Sequence, residues 1–164
     1  MPQTTEIDTL CKRLLAAAPH RAEPLVVTQS DIDRAAQELS VVWPDSYRRL
    51  LLALNNITLD LFELYRVLPP ARVKDFGQHC IVQQNTWLHS ERELPPWMLA
   101  FYTNGLADYE GFDLRGAPGG YPIVSWSHEI AWDEGCDDPN DAISVAAPSF
   151  ERWLRERVDD LEHP

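Results

Sequence analysis

Basic residues are scarce in this chain: 14 Lys and Arg stand against 26 Asp and Glu, a formal net charge of −12 over 164 residues. Nucleic acid and anionic membrane both call for basic surface, so neither is expected as a direct partner. Cysteine is sparse as well. Cys11, Cys80 and Cys136 are odd in number, far apart and in no metal-ligand spacing. They read as free thiols of a reducing compartment, which points to the cytoplasm. No apolar run approaches the roughly 18 residues of a membrane helix. The first residues include Glu6 and Asp8 and lack a basic stretch followed by an apolar one, so no signal peptide is expected.

Catalytic motifs are missing too. There is no Gly-x-Ser-x-Gly elbow, phosphate-binding glycine loop, His-Glu-x-x-His or dinucleotide fingerprint. His79 and Cys80 are adjacent in the chain and poorly placed to present a base and a nucleophile to one atom, so Cys80 reads as a buried thiol. His128 and Glu129 would face opposite sides of a strand, which leaves His128 a structural or rim role. Asp133, Glu134, Asp137, Asp138 and Asp141 lack the Asp-x-Asp-x-Asp-Gly spacing and closing Glu of a calcium loop. A solvated or protein-binding loop is expected there, with no metal or other cofactor, and the chain is not expected to be an enzyme.

What the sequence does hold is enough apolar residue for one core. Apolar residues make up 45% of it, six of them Trp, and at this length folding buries roughly 70% of the extended-chain surface. Ile7, Leu10, Cys11, Leu14, Leu15 and Ala18 predict an amphipathic helix over 5–18. Ser30 with Asp33 three residues on predicts the start of a second, lined by Ile32, Ala35, Ala36 and Leu39. In Trp43 to Asn56, Pro44 suits the first helical position and Asp45 the positive end of the macrodipole. Tyr47, Leu50, Leu51 and Leu54 then form a buried face, and Asn55-Asn56 a left-handed stop.

Ile57 to Leu68 has extended character, stopped by Pro69-Pro70, with one helical turn or a strand lead-in over 71–77. Met98–Tyr102 and Tyr109–Leu114 read as strands around Asn104-Gly105. Tyr121–Trp126 and Glu129–Trp132 alternate polar and apolar residues. Asp133 to Asp141 is an acidic loop, and Ser149 opens a last helix with Phe150, Trp153, Leu154, Val158 and Leu161 on one face. Helices at both ends with strands between them give an α+β domain.

Several segments resemble the SUKH superfamily, the Smi/Knr-like proteins. Trp43-Pro44-Asp45-Ser46-Tyr47 with Leu51 is similar to its Leu/Trp-Pro-x-x-Tyr-x-x-x-Leu signature. Leu99 to Asp108 is similar to its apolar strand and Gly-x-x-Asp turn. Gly120 to Glu129 resembles its Gly-x-Pro-Val-x-x-Trp-x-His-Glu strand, and Ala147 to Leu154 its closing helix. The resemblance spans about residues 30–158. It implies a mixed, mostly antiparallel sheet with packed helices, a domain over 25–164, and a helical extension over 1–24. It also implies an immunity protein that occludes a cognate secreted toxin, a basic nuclease being the expected kind, or else a non-catalytic regulatory or scaffold module of the Smi/Knr type.

Charge is unevenly placed. Residues 101–147 hold nine acidic residues against Arg115 alone, eight of the twelve net negative charges. Such a field serves solubility or steers a basic partner. Trp126 and Trp132 lie within it, next to the acidic loop Asp133 to Asp141, as aromatics do at an interface hot spot. The expected partner-binding residues are therefore Asp108, Glu110, Asp113, Trp126, Glu129, Trp132, Asp133, Glu134, Asp137, Asp138 and Asp141.

Overall fold

A computed structural model describes residues 5–17, 26–55, 58–59, 62–73, 79–91, 94–133 and 138–163. Three helices come first: α1 (Glu6–Ala17), α2 (Gln29–Glu38) and α3 (Asp45–Leu54). Thr28, not Ser30, opens α2. Its Oγ1 accepts the Asp31 N–H at 3.2 Å and the Asp31 carboxylate accepts the Thr28 N–H at 3.0 Å, a reciprocal capping box. The template Ser/Thr-x-x-Asp fits both pairs, and the earlier one prevails. Pro44 sits one position before α3, and Tyr47, Leu50, Leu51 and Leu54 are all buried. Asn55 does not stop the helix in a left-handed turn, since its φ is −62°. Its buried amide serves another purpose, donating to the Val67 carbonyl at 2.7 Å and accepting the Val67 N–H at 2.8 Å. Asn56 lies outside the described residues, as do Ile57, Leu61, Cys136 and Ala18.

The sheet runs β1 (Thr58–Leu59), β2 (Phe62–Leu64), β3 (Met98–Thr103), β4 (Tyr109–Asp113), β5 (Ile123–Trp126) and β6 (Ile143–Ala147). Each strand pairs antiparallel with the next, so spatial order equals chain order. The one parallel pairing among the described residues is an isolated bridge between Arg66 and Cys80. A 3-10 turn (Pro70–Arg72) precedes residues 74–78, which lie outside the described residues.

Helix α4 (Ile81–Ser90) falls where the hydrophobic pattern gives no helix, because only Ile81, Asn85 and Leu88 turn inward. Asn85 explains its place. Strand β2 pairs only with the Tyr102–Thr103 end of β3, and a bulge separates that end from Ala100. Beyond it, Asn85 takes over the strand edge. Its amide donates to the Ala100 carbonyl and accepts the Ala100 N–H, both at 2.8 Å. Across the sheet, Gly111 faces Ala100 so closely that a Cβ would stand 2.4 Å from the Leu99 carbonyl oxygen; only glycine fits that approach.

Residues 128–131, read from the sequence as part of an alternating strand, form a single helical turn, α5 (His128–Ala131). A 3-10 turn (Pro139–Ala142) then leads into β6, and Ser149 caps α6 (Phe150–Glu162) by accepting the Arg152 N–H. Tyr47, Phe101, Phe112, Phe150 and Trp153 meet at the centre of the core, for instance Tyr47–Phe150 at 5.0 Å and Phe101–Trp153 at 4.9 Å, both edge-to-face. Helix α1 packs on α3 and α6 and buries Ile7, Leu10, Cys11 and Leu14 in that core. Burial, with Asp8 nearby, pushes the Cys11 thiol up to about 11, so it stays protonated and inert. Cys80 is buried as well.

Candidate protein-binding surface

The turn between β3 and β4 is built by Asn104. Its Oδ1 accepts the Leu106 N–H at 2.8 Å, and its amide donates to Asp108 Oδ2 at 2.9 Å. Gly105 takes φ +74° at the tip. Thus oriented, Asp108 reaches across to another segment. Its Oδ1 accepts the His128 backbone N–H at 3.0 Å and lies 2.8 Å from His128 Nδ1. Ser127, the residue before α5, makes no side-chain cap, so Asp108 caps the turn from outside. The His128 ring in turn meets Trp132 at 5.2 Å. A latch of Asn104, Asp108, His128 and Trp132 joins the hairpin tip to α5.

Burial works against the Asp108 charge, but the bonds from the His128 side chain and backbone and from Asn104 outweigh it and hold this carboxyl below its ordinary value. A depressed carboxyl contributes its full stabilisation above its unfolded pKa of about 3.9, and the contribution is lost as pH falls from there through the lower folded value. Asp108→Asn should therefore melt below wild type at neutral pH, with the gap closing below about pH 4. Thermal melts across that range, followed by Trp fluorescence, read this; a gap independent of pH would mean that the carboxylate charge contributes nothing.

Depth sorts the expected partner-binding residues. Glu110 is 6% exposed and cannot meet a partner: Trp153 Nε1 and Arg157 Nη2 each donate to it at 2.6 Å. Trp126 is 1% exposed, its indole packed between Tyr109 and Trp132. Asp113 is half-buried and takes the Arg115 guanidinium at 2.8 and 2.9 Å, which neutralises it and holds its carboxyl below the usual range. Arg115 also lies over the Trp97 ring at 3.6 Å. Glu110 and Trp126 are thus buried, and Asp113 is already paired.

Trp132, 61% exposed, remains on the surface with the exposed acids Glu129, Asp133, Asp138 and Asp141. Helix α5, which Trp132 follows, packs against the 3-10 turn that Asp138 opens and that carries Asp141. Asp138 accepts the Asn140 N–H at 2.9 Å and opens that turn. Glu134 and Asp137 lie outside the described residues. Leu106 and Ile130, which sequence reasoning missed, are exposed apolar side chains on the two segments that the latch joins. Leu106 had a visible signal, an apolar residue at the tip of an Asn-Gly turn; Ile130 was hidden by the strand reading.

The arginines sit elsewhere. Arg13 pairs with Asp159 and Glu162, Arg34 with Glu38, Arg48 with Asp33, Arg152 with Glu156 and Arg155 with Glu6. Between Arg115 and Arg152 the sequence has no Lys or Arg and seven acidic residues. A stretch that spans β5, α5 and β6 thus holds seven acidic residues and no Lys or Arg. Among the described residues, no group of three or more His, Cys, Asp or Glu is placed to hold a metal ion, and no helix is long and apolar enough to cross a membrane.

No curated protein is significantly similar to this chain. The model of the SMI1 / KNR4 family (SUKH-1) matches residues 26–156, which takes in all six strands, the latch and the first half of α6. A match over that share of the length, with the antiparallel sheet and closing helix that the motifs imply, places the chain: it belongs to the SMI1 / KNR4 family (SUKH-1).

Proposed function

We propose that this protein is an immunity protein of the cytoplasm that binds a cognate secreted toxin and neutralises it by stoichiometric occlusion, without catalysis. The observation that carries the reading is the surface around Trp132: an exposed indole, with Leu106 and Ile130 exposed on the two segments that the latch joins, inside a stretch that holds acids and no Lys or Arg. Membership of the family supports the immunity type. The complementary partner is basic, and a nuclease is the toxin class whose active site expects the negative charges that Glu129, Asp133 and Asp141 would supply.

Long-range attraction acts on encounter, and a desolvated aromatic on residence. Association with the toxin should exceed the roughly 10⁵–10⁶ M⁻¹s⁻¹ of a neutral pair. It should fall steeply as salt shortens the Debye length from about 10 Å at 0.1 M to about 3 Å at 1 M. Changing Glu129→Gln, Asp133→Asn and Asp141→Asn together should slow association at low salt and leave dissociation alone. Trp132→Ala should speed dissociation, by about 30-fold for a hot spot of about 2 kcal/mol. Stopped-flow binding over a salt series checks both, and equal low-salt association by the charge-neutralised variant would reduce the acidic surface to solvation.

A further inference from the structure

Among the described residues strand β6 ends the sheet, and the ladder to β5 fixes the direction of its hydrogen bonds. Ser127 donates to the Ala142 carbonyl at 3.0 Å, one step beyond the Trp126–Ile143 pairing. In an antiparallel ladder, bonded and non-bonded pairs alternate. Ser125–Ser144 is therefore bonded, while at Ile143 and Val145 the backbone groups point away from β5. The other side of β5 agrees: Asp113 donates to the Pro122 carbonyl, which turns Val124 and Trp126 toward β4. The Ile143 N–H is used within the chain, donating to the Asn140 carbonyl. What faces outward is the Ile143 carbonyl with the N–H and carbonyl of Val145, and among the described residues no backbone group bonds to them.

This edge has few of the usual protections. Ile143-Ser144-Val145-Ala146-Ala147 contains no Lys and no Pro, Val145 is 76% exposed, and the bulge lies beyond Val145 at Ala146. Trp132 stands at its near end, because Ile143 pairs with Trp126 and the Trp126 ring is 6.4 Å from that of Trp132. The flanks decide the occupant. Asp138 and Asp141 precede the strand and Glu151 follows it. Two copies paired edge to edge would set acid against acid, whereas a basic segment would meet opposite charge.

We propose that the outer edge of β6 is a docking strand that takes up an extended basic segment of the partner protein by strand addition, with Trp132 as the side-chain anchor at its Ile143 end. Main-chain bonds at Val145 supply affinity, and the flanking acids select a basic strand over a neutral or acidic one. The identity of the partner as a toxin rests on the reading given above; the docking strand itself is tested without it.

The probe is a blocked ten-residue peptide of alternating Lys and Val, with an alternating Glu and Val peptide as control, followed by backbone NMR and amide exchange of the whole chain. The Lys peptide should slow exchange at the Val145 amide, and the Glu peptide should not. Val145→Pro deletes the outward donor and leaves the bonds to β5, since proline is tolerated on an edge strand whose N–H faces solvent. It should weaken peptide binding about tenfold, the equivalent of one hydrogen bond, while Val145→Thr keeps the donor and the affinity. Should the proline variant fold poorly, N-methylating one edge of the Lys peptide removes the same bonds from the other side. Absence of protection at Val145, equal binding of the two peptides, or full binding by a folded Val145→Pro variant would each overturn the docking strand. With a neutralised toxin in hand, undiminished binding by Val145→Pro overturns the docking strand and leaves the immunity reading standing. If no toxin is neutralised, the immunity reading falls while the peptide result at Val145 still decides the edge.

Discussion

Alanine at Trp153 should destabilise the protein by about 3–5 kcal/mol, the range for deleting a large aromatic from a packed core. Two losses combine there. The indole is 1% exposed, packs within 5.5 Å of Phe150 and meets Phe101 edge-on at 4.9 Å, so its removal opens a cavity bounded by rings that cannot collapse into it. Its Nε1–H also donates to the buried Glu110 carboxylate, which is left with Arg157 alone. Trp153→Phe separates the two effects. It keeps most of the ring packing and deletes the donor, so it should cost roughly 1–3 kcal/mol, the penalty for stranding one buried acceptor. Urea unfolding of wild type and both variants measures this. If Trp153→Ala melts within a degree or two of wild type, the role given to α6 in closing the core is wrong.

Asn85→Ala should be nearly as damaging, although it removes only a small polar side chain. The amide serves as a piece of strand: it satisfies the Ala100 N–H and carbonyl where β2 has ended, and donates to the Ile81 carbonyl as well. At a site of 0% exposure, each abandoned backbone group costs about 1–3 kcal/mol, so the pair amounts to roughly 2–6 kcal/mol. Asn85→Leu should not rescue the loss, because volume is not what is missing. Asn85→Asp should fail too, since an oxygen would face the Ala100 carbonyl where the amide donates. Amide exchange at Ala100 distinguishes this cause from a general loss of stability, because that N–H should lose protection before its neighbours on β3. A leucine variant as stable as wild type would show that the backbone bonds are dispensable.

Both side chains mark how far the sequence could be read. Helix α3 was legible because Tyr47, Leu50, Leu51 and Leu54 keep an unbroken helical period, and α6 because Ser149 precedes another. Helix α4 was not, since its central inward residue is Asn85, and a pattern of apolar residues cannot register a buried amide. Strand β6 was hidden for the opposite reason: Ser144 and Val145 are both exposed, so no alternation remains. Around α5, the four residues from Glu129 to Trp132 are too few to separate a period of two from one of 3.6. For the candidate surface, the density of acids was visible but their depth was not. Glu110 and Asp113 counted toward the same charge as Glu129 and Asp133, yet β4 turns the first onto Trp153 and hands the second to Arg115. Trp126 and Trp132 lie alike next to the acidic loop in sequence, and only the turn at α5 decides which one emerges.

Helix α1 lies wholly before residue 26, where the family match begins, yet Leu10 and Leu14 are buried against the same apolar volume that α3 and α6 enclose. Arg13 grips Asp159 and Glu162, beyond the far end of that match, and Arg155 holds Glu6. The matched segment and the packed core thus have different borders. The family match stops at residues 26 and 156, while the core is fastened by a clasp between α1 and α6 that reaches past both ends.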